Sequence, residues 1–250
     1  MMKKIKFQIS KTISVYFLRL ITLNRLQVWI NNFLARKTFK FNNYDLNYFF
    51  HSYNNFGITE RSIEIPIIKS YLSSIKYNQV LEIGNVTKHY YDEFKSFINK
   101  ETLDKYETAF DVINLDIKDY NPNLNFDFIF SISTFEHMDT DGGRNSDYFE
   151  DHGIFRSNAF NYLDKVYKNL LKSGGKLVIT FPLSYCNDEI ANSFLNGDIE
   201  KISPTNYSYF IYKKISETEW QNISLDNYLI NSNNNLFPNV NYLVVLELDK

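Results

Sequence analysis

From Val80 onward the chain alternates short apolar runs with longer amphipathic stretches, and few folds accommodate that alternation. The runs cover residues 80–83, 102–103, 112–115, 126–132, 177–181 and 242–248. Strands separated by helical segments are joined by crossovers, which sets the strands parallel and puts helices on the sheet faces. The pattern therefore predicts βαβ units in a mainly parallel sheet. Its clearest helix precedes the fifth run: Phe160, Leu163, Val166, Tyr167, Leu170 and Leu171 share one face, with Asp164, Lys165 and Lys168 on the other. Ser173-Gly174-Gly175 is expected to end it, because glycine tolerates the left-handed conformation that closes a helix. An earlier helix is expected over residues 59–75, with Thr59 as cap and Pro66 causing a kink or a late start. Between Ser184 and Asn239 the periodicity weakens, and residues 231–235 read as a solvated loop.

A chain of 250 residues holds one sizeable core and a short appendage. Charge divides it. The first 40 residues carry nine basic groups and no acidic one, leaving 18 basic against 29 acidic groups beyond. The expected division is a basic, amphipathic helical arm over residues 1–43 and a domain over 44–250. Phe17, Leu18, Ile21, Val28, Trp29, Ile30, Phe33 and Leu34 recur at helical spacing, but Arg19, Asn24, Arg25, Gln27, Asn31 and Asn32 interrupt the run well short of a membrane span. Three readings of the arm stay open: packing on its own domain, peripheral contact with the inner face of a membrane, or binding to a partner or nucleic acid. The acidic body argues against broad nucleic-acid binding. Cys186 is the single cysteine, so an intrachain disulfide is excluded and a reducing cytoplasm is expected.

In an open parallel sheet the ligand lies beyond the carboxyl ends of the strands, where strand order reverses. Val80-Leu81-Glu82-Ile83-Gly84 supplies a buried strand, an acidic residue near its tip and a glycine that lets the backbone approach a ligand. Asp104 follows Gly84 by 20 positions, at the tip of the second strand, where a carboxylate can accept hydrogen bonds from ribose hydroxyls. A nicotinamide cofactor would suit that pair too, but Gly-x-Gly-x-x-Gly is missing after the first strand.

Glu82-Ile83-Gly84, Asp104, Leu115-Asp116-Ile117, Phe126-Asp127-Phe128-Ile129-Phe130-Ser131, Glu136-His137 and Leu171-Lys172-Ser173-Gly174-Gly175-Lys176-Leu177 stand in the order found in class I S-adenosylmethionine-dependent methyltransferases. The chain resembles that family from Tyr44 to Lys250. Leu81-Glu82-Ile83-Gly84-Asn85-Val86, Asp104-Lys105-Tyr106-Glu107 and Thr59-Glu60-Arg61-Ser62-Ile63-Glu64-Ile65-Pro66 are similar to a poorly characterised bacterial subgroup of it. The resemblance implies a Rossmann-like, doubly wound, mainly parallel seven-stranded α/β sheet and S-adenosylmethionine as cofactor. It implies that the backbone at Gly84 and Asn85 holds the methionine part, Asp104 the ribose and Asp116 the adenine amino group. Ser131 and Ser133 would border the methyl group, and Glu82, Lys105 and Ile117 complete the expected cofactor set. Val86 and Lys88 stand where many relatives carry further glycines.

Glu136 and His137 lie just past the fourth strand, on the edge where an acceptor would sit, and are the candidate catalytic pair; either can take a proton from a hydroxyl or amine. No spacing gives a full metal-ligand set, so no metal is expected. Residues 139–156, with Asp141-Gly142-Gly143-Arg144, His152 and Arg156, read as an excursion over the active-site edge, while His51 and His89 read as structural. The expected function is methyl transfer to oxygen or nitrogen of a small-molecule or glycan-type acceptor. The alternative keeps the fold without catalysis, as a scaffold attached to a membrane or partner through the arm.

Overall fold

A computed structural model describes residues 26, 37–54, 59–74, 77–97, 100–138, 158–183, 189–216, 219–231 and 240–250. The arm before residue 37, apart from Leu26, the 139–156 excursion, Cys186 and residues 232–235 lie outside them. No described helix is long and apolar enough to cross a membrane.

A two-stranded antiparallel ribbon, β1 (Thr38–Phe41) with β2 (Tyr44–Asn47), comes first, followed by helix α1 (Arg61–Ser74). Next come β3 (Val80–Ile83), a 3-10 turn (Thr87–Tyr90), the short α2 (Tyr91–Phe94) and β4 (Lys100–Leu103). Strand β5 (Phe126–Ile132) leads into a 3-10 turn at Phe135–His137. Helix α3 (Ala159–Lys165) widens into a π turn (Val166–Leu170) before β6 (Leu171–Pro182). The remainder is α4 (Glu189–Leu195), β7 (Asn206–Ser216), β8 (Glu219–Ile223), α5 (Leu225–Asn231) and β9 (Tyr242–Asp249).

One seven-stranded sheet has the order β4-β3-β5-β6-β9-β7-β8. Its first four strands are parallel, and β9 enters antiparallel between β6 and β7. Alternate residues of β5 serve opposite faces: Phe128, Phe130 and Ile132 pack with Ile63, Ile67 and Ile68 of α1, while Ile129 joins Leu163 of α3 and Ile190 of α4. Helices thus cover both faces, as near-continuous apolar strands require. From β3 the chain steps outward to β4 and then back to β5 on the other side. The reversal of strand order therefore falls between β3 and β5.

Three expectations are corrected. Residues 112–115 form no strand; the segment touches the sheet through a single parallel bridge, Leu103 to Ile113, and β7 and β8 bring the count to seven. The helix before β6 ends at Leu170, short of the expected Ser173-Gly174-Gly175 terminator, since Leu171 is already extended at φ −82°, ψ 135°. The left-handed Gly174 (φ +77°) instead shapes a turn within the start of β6. Pro66 lies inside α1 rather than delaying it. Proline offers no N–H to the carbonyl four residues back, and that carbonyl, Ser62 O, accepts the Phe49 N–H at 2.9 Å. The bond ties the 48–54 segment to α1.

The free edge at β8 is capped by one side chain. Buried Tyr48 accepts the Trp220 N–H at 2.8 Å and donates its hydroxyl to Trp220 O at 3.2 Å. Tyr48→Phe keeps the ring packing and leaves both backbone groups unsatisfied, so urea unfolding should show a loss of about 1–3 kcal/mol. A loss within experimental error of zero would mean that the cap is energetically idle.

Candidate active site

Gly84 ends β3 in the left-handed region at φ +86°, with its N–H on Leu103 O at 2.8 Å. A Cβ there would lie 2.2 Å from Thr134 Oγ1 and 2.8 Å from Thr134 Cγ2. Only glycine meets both the dihedral and the space, and the contact brings the tips of β3 and β5 together where strand order reverses. Beyond it the backbone returns to ordinary values, with Val86 at φ −78°, ψ −40°. Val86 and Lys88 therefore sit without strain where glycines were expected.

What shapes this loop is Glu82. It is fully buried: Oε1 accepts the Thr87 N–H at 2.7 Å, and Oε2 accepts the Thr87 hydroxyl at 2.5 Å and the Lys100 ammonium. Lys100 also donates to Thr87 Oγ1 at 2.5 Å. The carboxylate clamps the 85–90 turn from below.

Asp104, at the end of β4, organises the opposite wall. Its Oδ1 accepts the N–H groups of Tyr106 and Glu107, each at 2.8 Å, and Oδ2 accepts the Asn85 N–H at 3.1 Å. Three of about four acceptor positions on the carboxylate are thus filled by backbone. Asn85 Nδ2 donates to Glu107 Oε2 at 2.9 Å, and Asn114 Nδ2 holds the carbonyls of Asp104, Lys105 and Glu107 at 3.0–3.2 Å. Asp116 stands next to this turn, with the Lys118 N–H on Oδ1 at 3.0 Å and the Lys105 ammonium 2.9 Å from Oδ2. Burial alone would raise its pKa; the Lys118 amide and the Lys105 charge prevail and hold the carboxyl below the usual range.

These residues border a cleft that opens to solvent, lined among others by Gly84, Leu103, Asp104, Lys105, Tyr106, Leu115, Asp116, Ile117, Thr134, His137, Met138 and Tyr162. Of the residues expected at the site, Gly84, Asp104, Lys105, Asp116, Ile117 and His137 line it together. Glu82 and Asn85 act from behind the loop. Ser131 is wholly buried and donates to Ile83 O at 2.8 Å, joining β5 to β3. Ser133 turns away to Glu64. His51 and His89 belong to an aromatic cluster, His51 stacked on Phe49 and His89 on Tyr53 at 3.9 Å.

His137 is half-exposed in the cleft wall, its Nε2 3.9 Å from Oε1 of the nearly buried Glu136. Burial, then the charge of Arg61, holds its pKa below the ordinary value of 6.5. At neutral pH the imidazole is uncharged and can accept a proton. Arg61 belongs to a network that residue-type reasoning missed. Glu64, fully buried, accepts Arg61 Nη1 at 2.6 Å on Oε2, and the hydroxyls of Ser133 and Thr180, both at 2.6 Å, on Oε1. The one signal for it was the 59–66 string, which carried no assigned chemistry.

Sheet order, with a cleft at the carboxyl edge, defines a Rossmann-like α/β domain. No protein-family model and no curated protein matches the chain in sequence. Among solved structures, a SAM-dependent methyltransferase from Archaeoglobus fulgidus matches at 16% identity and a TM-score of 0.44, over 80% of this chain and 100% of that one. Another, from Thermotoga maritima, matches at 15% identity and 0.43, over 75% and 87%. The N-methyltransferase NodS from Bradyrhizobium japonicum, in complex with S-adenosylhomocysteine, matches at 11% identity and 0.37, over 77% and 93%.

Proposed function

We propose that the chain is an S-adenosylmethionine-dependent methyltransferase acting on oxygen or nitrogen of a small-molecule or glycan-type acceptor. The observation that carries this reading is the junction of Gly84, Thr134 and Asp104 at the strand-order reversal, opening into one cleft that ends at a neutral His137. The residues present fit the cofactor. Gly84 keeps the loop low enough for a ligand to lie across it, Leu103, Leu115 and Ile117 offer apolar walls to a purine, and Asp104 retains acceptor capacity for one ribose hydroxyl. When bound, the cofactor supplies a methyl group already activated on a sulfonium sulfur, so the protein's task is mainly alignment. His137 takes the proton that the acceptor's hydroxyl or amine loses.

The loop built on Glu82 and Thr87 favours this reading over a non-catalytic scaffold, because it dispenses with the glycines whose lack motivates that alternative. At a hundredfold excess over Kd, S-adenosylmethionine should stabilise the native state by about 2.7 kcal/mol, a rise of roughly 5–10 °C in melting temperature for a domain of this size. Asp104→Ala should abolish the rise, since it removes both the ribose acceptor and the anchor of Asn85. An unchanged melting temperature in the parent protein with millimolar ligand would end the proposal.

A further inference from the structure

Ser133 adopts φ +39°, a conformation that L residues other than asparagine and aspartate rarely take. Something must support it. Its N–H reaches Thr180 O at 3.0 Å and Thr180 Oγ1 at 3.1 Å, and its hydroxyl donates to Glu64. Thr180 Oγ1 accepts that N–H while donating its own proton to the same Glu64 oxygen. Two hydroxyls from neighbouring parallel strands therefore converge on one carboxylate oxygen, and Arg61 holds the other. The chain then runs from Ser133 directly into the Phe135–His137 turn, closed by His137 N–H on Thr134 O at 3.0 Å.

A buried ion pair is a poor investment in stability, because desolvation offsets most of the Coulomb gain. Its place here, at the carboxyl edge beside the cleft, indicates a positional task. We propose that Glu64 and Arg61 are positioning residues for His137: Glu64 fixes the strand-tip turn that delivers the imidazole to the cleft, and Arg61, held by Glu64, is its cationic neighbour. The role of His137 in catalysis rests on the methyltransferase reading; its placement does not.

Among the described residues, Glu136 on its own turn stands 3.9 Å from this imidazole, and Arg61 of α1 acts on it by its charge, with Glu64 and Glu60 of the same segment acting on Arg61. Asp104, Lys105 and Asp116 line the same cleft, with Tyr162 of α3, and Lys214 of β7 lies near Glu60. Three carboxylates, Glu64, Glu60 and Glu136, act on this one guanidinium, and Glu64 holds it directly at 2.6 Å. Removing that cation takes away a charge that disfavours the imidazolium and should raise its titration midpoint.

The test is imidazole NMR on the full chain, with neither cofactor nor acceptor present. The protein has four histidines, and the signals of His137 are those lost in His137→Gln. Arg61→Gln should shift the His137 midpoint upward by about half a pH unit or more, and Arg61→Lys should return it close to the parent value. Glu64→Gln should move or broaden the His137 ring signals while those of His51 and His89 stay in place. If that variant does not fold, Thr180→Val, which removes one of Glu64's two hydroxyl partners, should have the same effect. Unchanged His137 midpoint and ring shifts in folded Arg61→Gln and in Glu64→Gln or Thr180→Val would overturn the proposal. Failure of S-adenosylmethionine to bind would instead strike the functional reading and leave the titration result standing.

Discussion

Gly84→Ala is expected to destabilise the domain by about 2–5 kcal/mol and to remove cofactor binding. The cost has two separable parts. An alanine at φ +86° meets the strain of the left-handed region, about 1–2 kcal/mol. Its Cβ also falls 2.2 Å from Thr134 Oγ1, and relieving that overlap by shifting a strand tip costs about 1–3 kcal/mol more. In urea unfolding, adding Thr134→Ala should return part of the steric cost and none of the conformational one, because Oγ1 and Cγ2 go while the dihedral stays. If Gly84→Ala is as stable as the parent, the strand tips do not meet as described.

Glu82→Ala should cost about 3–5 kcal/mol, the range for removing one partner of a buried charge pair. It strands the Lys100 ammonium, whose side chain is only 16% exposed, and deprives Thr87 of acceptors for both its N–H and its hydroxyl. Glu82→Ala combined with Lys100→Met should recover much of the stability, since no unpaired charge is then left inside. Cofactor affinity should stay weak in the double variant, because the 85–90 turn has lost its clamp. Equal loss of stability in single and double variants would show that the ion pair is not what holds this turn.

The pair at Gly84 and Asp104 was legible because topology dictates it: a strand that ends at the reversal point must deliver a tight turn, and the next strand ends beside it. Asp116 was implied by the family resemblance and His137 followed from its place just past the fourth strand; both line the cleft. Strands β3, β5, β6 and β9 were readable as apolar runs. Residues 112–115 were misread because an apolar run beside the sheet edge can be anchored by one bridge without a ladder. Strand β7 escaped notice because its sequence, Asn206-Tyr-Ser-Tyr-Phe-Ile-Tyr-Lys-Lys-Ile-Ser216, mixes aromatic and polar residues on both faces and buries Lys214. The inner face of that strand is closed by tertiary partners: Tyr212 donates to Lys40 O at 2.8 Å, a residue 172 positions away.

The charged network was hidden for a related reason. Arg61 and Glu64 lie one turn apart on α1 and look like a surface pair, worth a few tenths of a kcal/mol. Only folding brings Ser133 and Thr180, 69 and 116 positions from Glu64, onto the same carboxylate. Glu82 was assigned to the cofactor by its place in a motif, but a side chain on a buried strand points to one face or the other, and this one points beneath the loop it stabilises.

The central claim is that this cleft holds S-adenosylmethionine. Isothermal titration of the full-length protein with S-adenosylmethionine tests it without knowledge of the acceptor. The account predicts saturable one-to-one binding that is lost in Asp104→Ala; absence of binding to the parent protein at millimolar ligand, with the fold intact by circular dichroism, would contradict it.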